Sequence, residues 1–75
     1  MIIKSEIAGQ VWRIVARVGQ KLAIDDTIVI IESMKMEIPV STPIAGIITE
    51  LHVEEEDLVE EDQDIATLEV LRESE

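Results

Sequence analysis

Ile28-Val29-Ile30-Ile31 is a run of β-branched apolar residues, suited to a pleated strand. Beyond it the pattern changes to alternation. Met36, Ile38 and Val40 fall on one face, with Glu37, Pro39 and Ser41 on the other, the period of two expected of a half-buried strand. The two segments predict a β-hairpin with Glu32-Ser33-Met34-Lys35-Met36-Glu37 across its turn and Lys35 at its tip. The same six residues also admit a helical reading. Met, Lys and Glu are good helix formers, and Glu32 and Lys35 stand three apart, as a helix-surface pair does. The rest of the chain decides between them.

Shifting the chain by 37 residues lays one half on the other. Ile7-Ala8-Gly9 falls on Ile44-Ala45-Gly46, Val11 on Ile48, Ile14 on Leu51 and Leu22 on Val59. Asp25 then meets Asp62, Ile28 meets Ile65, Ile31 meets Leu68 and Glu32 meets Glu69. Each half reads as short strands: 9–14, 20–24 and 27–32 in the first, 46–51, 57–60 and 64–70 in the second. Strands at 2–4 and 36–41 complete the set. Short strands at regular spacing with turn signals between them predict an all-β sandwich or flattened barrel of two four-stranded antiparallel sheets. The Glu- and Leu-rich stretch 50–62 competes as a helix. Its counterpart in the first half, Val11 to Ile24, is rich in Val and Ile and carries Gly19, so strand is expected in both copies.

Composition narrows the function more than the fold. Seventy-five residues suit one domain, 1–75, whose core must be aliphatic because Trp12 is the only aromatic. The absence of cysteine removes disulfides and thiolate metal sites. A net charge of −11 opposes nucleic-acid binding, which draws its affinity from phosphate neutralisation. The acidic runs Glu54-Glu55-Glu56-Asp57 and Glu60-Glu61-Asp62, and the tail Glu73-Ser74-Glu75, read as a solvated face that also steers the domain toward basic partners. They lack the spaced Asp/Asn pattern and central glycine of a calcium loop. Met1-Ile2-Ile3-Lys4-Ser5 is too short and polar for a signal peptide, and no apolar run approaches the ~20 residues that span a bilayer. A soluble, cytoplasmic monomer, free of membrane, is expected. Nothing resembles a catalytic constellation. His52 is the lone histidine, and no base stands near in sequence to Ser5, Ser33, Ser41, Ser74, Thr27, Thr42, Thr49 or Thr67. The expectation is a protein that is not an enzyme.

Met34-Lys35-Met36, preceded by Glu32 and set in the middle of a two-fold repeat, resembles the attachment sequence of the biotinyl/lipoyl domain family. Its likeness is to the biotinyl domains of biotin carboxyl carrier proteins. Ala8-Gly9, Gly19, Pro43 and Gly46 extend the resemblance over about residues 7 to 70. The resemblance implies two quasi-symmetric four-stranded sheets, a barrel-sandwich hybrid. It also implies covalent biotin on Lys35, attached by a biotin protein ligase that recognises Met34, Met36 and Glu32. Biotin carboxylase and carboxyltransferase components are the implied users of the carried carboxyl group. Lipoyl domains of the same family place an acidic residue before the lysine and a small one after it, whereas this chain has methionine at both positions. Lipoate on Lys35 is the first alternative, and an unmodified interaction module of the same fold the second. Two departures stand out. Glu56 occupies a turn where the family usually has glycine, and no inserted segment forms a protruding thumb.

Overall fold

The computed structural model describes residues 1–71, which form eight strands and no helix. In chain order they are β1 (Ile2–Lys4), β2 (Gly9–Ile14), β3 (Lys21–Leu22), β4 (Thr27–Ser33), β5 (Met36–Ser41), β6 (Gly46–Leu51), β7 (Leu58–Val59) and β8 (Asp64–Val70). Two four-stranded antiparallel sheets result, ordered β1-β8-β6-β3 and β5-β4-β2-β7. They face each other without closing into a barrel. The long strands β2, β4, β6 and β8 are central, and every edge strand is blunted. β3 and β7 have two residues each, and Pro39 removes a donor from the edge strand β5.

The repeat read from the sequence is the symmetry of the core. Its buried apolar residues pair off 37 positions apart without remainder: Ile3 with Val40, Val11 with Ile48, Ala16 with Val53, and Leu22 with Val59. Ile28 with Ile65, Val29 with Ala66, and Ile31 with Leu68 complete the list. Even the buried polar residues match. Ser5 Oγ donates to the Ile7 carbonyl as Thr42 Oγ1 donates to that of Ile44. The bulges match too, at Trp12 in β2 and Thr49 in β6.

Turn geometry follows the same rule. Gly19 and Glu56 stand at equivalent corners with φ of 91° and 75°, and Asp25 and Asp62 at 73° and 69°. Glu56 therefore takes up the left-handed conformation that glycine adopts without strain, which costs a side chain about 1–2 kcal/mol. The glycine that the resemblance leads one to expect is missing, yet the turn keeps its shape. The Glu-rich stretch is not helical. The strands expected at 20–24 and 57–60 contract to two residues each. The turns Ala23–Asp26 and Glu60–Gln63 begin directly after them, held by Asp26 and Gln63 side chains that accept from the Ala23 and Glu60 amides at 2.9 and 3.0 Å.

Two substitutions probe this frame. A Cβ added at Gly9 would lie 2.5 Å from the Glu32 carbonyl oxygen and 2.7 Å from Ile31 Cγ2. Gly9→Ala is expected to cost about 2–3 kcal/mol by overpacking. Glu56→Gly is expected to gain about 0.5–1 kcal/mol by relieving the left-handed corner. Urea unfolding of both variants checks the opposite signs.

Candidate functional site

The hairpin between β4 and β5 runs in unbroken register at its end: Ile31 opposite Ile38, Glu32 opposite Glu37, Ser33 opposite Met36. Only Met34 and Lys35 remain for the turn, with φ of 52° and 65°. Positive φ at both central residues marks a type I′ turn, whose twist matches that of the flanking strands. Asn-Gly is the preferred pair in such turns. Met-Lys accepts a strain of about 1–2 kcal/mol per residue instead. The ladder behind the turn overcomes that cost, since β4 is a central strand hydrogen-bonded on both sides.

The side chains at the tip are presented outward. Met34 is 89% exposed and Met36 62%, while Lys35 and Glu32 are also exposed. Met36 is thus exposed, although the alternation places it on the same face as Ile38 and Val40. It sits at the first position of β5, next to the turn. Lys35 has no ion pair among the described residues. Among the described residues the one salt bridge joins Lys4 Nζ to Asp64 Oδ1 at 3.3 Å.

Carboxylates lie at this end of the molecule. Glu32 and Glu37 lie directly opposite each other, a like-charge pairing that destabilises the hairpin by a few tenths of a kcal/mol. The turn Glu60–Gln63 leaves the sheet at the same end, with β2 between β7 and β4, because Val59 pairs with Gly9 at that end of β2. It is tied down where the Asp62 amide donates to the Ser5 carbonyl at 2.7 Å. Glu37 and this turn belong to the lysine end, and the sequence signal was the pairing of Glu32 with Glu37 across a two-residue turn. Behind the tip, Gly9 lets β2 approach the Glu32 carbonyl and the Ser33 Cβ closely.

Among the described residues nothing else competes as a reactive centre. His52 lies just past β6, with Nε2 2.8 Å from Thr67 Oγ1. No group of three or more potential metal ligands occurs among the described residues. A shallow cleft of about 430 Å³ lies between the edges of β1 and β5, bordered by Lys4, Glu6, Ile38 and Ser41. It holds neither nucleophile nor base in a working arrangement. No helix among the described residues is long and apolar enough to cross a membrane.

The sequence model of a family described as "Biotin-requiring enzyme" matches residues 1–68. The chain belongs to the biotin/lipoyl attachment family. A "Biotinylated protein TB7.3 homolog" of Mycobacterium leprae is 35% identical over 66 residues, 88% of this chain and 93% of the relative. A "Biotin/lipoyl attachment protein" of Bacillus subtilis is 34% identical over 61 residues, 81% of this chain and 84% of the relative. Among solved structures, the Kluyveromyces lactis urea carboxylase superposes with a TM-score of 0.87 at 31% identity. That match takes in 91% of this chain and 6% of the much longer carboxylase. Biotin/lipoyl attachment domains are non-catalytic carrier domains.

The strain at the tip is testable. Met34→Asn removes a side chain that packs on nothing and supplies a residue suited to the first position of a type I′ turn. The variant is expected to be about 0.5–1 kcal/mol more stable, read by thermal denaturation.

Proposed function

We propose that this domain is a biotin carrier, and that Lys35 is the residue a biotin protein ligase joins to biotin. The observation that carries the reading is an exposed amine, without an ion pair among the described residues, held at the apex of a strained two-residue turn between two exposed methionines. Modification by another protein needs such access. Lys35 Nζ would attack the acyl carbon of biotinyl-adenylate as the free amine. The C–N bond forms, the C–O bond to AMP breaks, and the amine proton passes to the ligase. Rigid support from β4 fixes where the amine enters the ligase, which favours a productive approach.

Met34 and Met36 are the proposed recognition pair, since unbranched thioethers adapt to an apolar groove. Glu32, opposite Glu37, adds negative charge that a basic ligase surface would read. Once attached, biotin would hold a carboxyl group for transfer between a biotin carboxylase and a carboxyltransferase component. The M. leprae relative's name and the likeness to a urea carboxylase support this choice. Lipoate on the same lysine is the second reading, supported by the name of the B. subtilis relative. Met34→Asp with Met36→Ala, which rebuilds the lipoyl-type flanks, is expected to shift preference toward a lipoyl ligase.

The test uses the purified protein with biotin protein ligase, ATP and biotin, followed by peptide mass mapping. Label is expected on Lys35 alone and absent in Lys35→Arg. Exchanging Lys35 with Met34 keeps composition and charge but moves the amine ~3 Å along the chain. The exchange is expected to lower the rate well over tenfold at unchanged melting temperature. Label surviving in Lys35→Arg, or equal rates after the exchange, would contradict the assignment.

A further inference from the structure

All three methionines of this chain lie on the surface, and two of them flank Lys35. The core is built from Ile, Val, Leu and Ala alone. With no cysteine present, thioether sulfur is the most readily oxidised sulfur the protein offers to peroxide. Met34 and Met36 are more exposed than Met1, which is 50% exposed. Met1 is further restrained, since its ammonium donates to the Leu68 carbonyl at 2.8 Å and its own carbonyl accepts from the Leu68 amide at 2.7 Å.

We propose that Met34 and Met36 form a reversible oxidation site that switches Lys35 between a modifiable and a refractory state. The oxidant is hydrogen peroxide. An S–O bond forms at the thioether as the O–O bond breaks, the sulfur loses two electrons, and water leaves. The product sulfoxide is polar and chiral, and a thiol-dependent methionine sulfoxide reductase returns it to the thioether. Neither side chain packs against the core, so oxidation leaves the fold intact. Its effect falls on recognition. A groove shaped for two flexible apolar arms must instead desolvate two strong hydrogen-bond acceptors beside the reacting amine. The glutamates at positions 32 and 37 already make the tip poor in apolar surface, so the two thioethers supply most of what a groove can bury there. This inference rests on the proposed modification of Lys35 and adds its regulation.

The experiment treats the protein with hydrogen peroxide, removes the oxidant with catalase, and maps sulfoxides by peptide mass. Met34 and Met36 are expected to oxidise before Met1. The initial rate of biotin incorporation by ligase is then measured on untreated, oxidised and reductase-treated protein. The oxidised form is expected to be modified at least tenfold more slowly, with an unchanged melting temperature, and the reductase to restore the rate. Met34→Leu/Met36→Leu protein is expected to show no response to peroxide; where leucine is a poor substitute in the ligase, the reductase arm decides. Equal rates for oxidised and untreated protein, or a loss that the reductase does not reverse, would overturn the switch. Failure of the untreated protein to be modified at all would instead overturn the assignment of Lys35.

Discussion

The amide of Gly19 donates to the carbonyl of Ile48 at 2.7 Å, and the amide of Glu56 donates to that of Val11 at the same distance. In return Ile48 donates to Gln20, and Val11 to Asp57. Each half thus completes the other half's sheet: β3 of the first borders β6 of the second, and β7 of the second borders β2 of the first. Neither half can close its hydrogen bonds alone, because the donors and acceptors of its own central strand point at the other's connector. This exchange holds the two sheets face to face and encloses the symmetric core between them. The hairpin of β4 and β5 joins the two halves, and its two-residue turn carries Met34 and Lys35.

Most of this was legible because the repeat acts on two kinds of residue at once. Apolar positions 37 apart gave the core, and Gly19 with Asp25 gave the corners. Glu56 was the exception. A glutamate carries no signal of positive φ, and only its place opposite Gly19 reveals that the corner is kept. Alternation put Met36 on the side of Ile38 and Val40 but did not reveal its exposure, because strand periodicity says which side a residue faces and not how far the core extends. The lengths of β3 and β7 also escaped. Side-chain caps from Asp26 and Gln63 end them early, and such caps require knowing which amide is left unpaired.

The acidic runs, ambiguous as sequence, acquire a position in the fold. Glu32, Glu37 and the Glu60–Gln63 turn gather at the lysine end, while Arg13, Arg17 and Lys21 lie along β2, its following loop and β3. The counterparts of Arg13 and Arg17 in the second half are Glu50 and Glu54. The core keeps its two-fold symmetry and the surface does not. The proposed carrier role, in which one end meets more than one partner, gains from that division. The core fixes the position of the lysine, and the surface charge raises the rate at which basic surfaces meet it.

The central claim is that Lys35 carries biotin in the cell. The mass of the intact protein, isolated from its native host grown with biotin, tests it most directly. The account predicts an increment of one amide-linked biotin, localised by fragmentation to the peptide containing Met34-Lys35-Met36. An unmodified mass, a lipoyl increment, or biotin on Lys4 or Lys21 would contradict it.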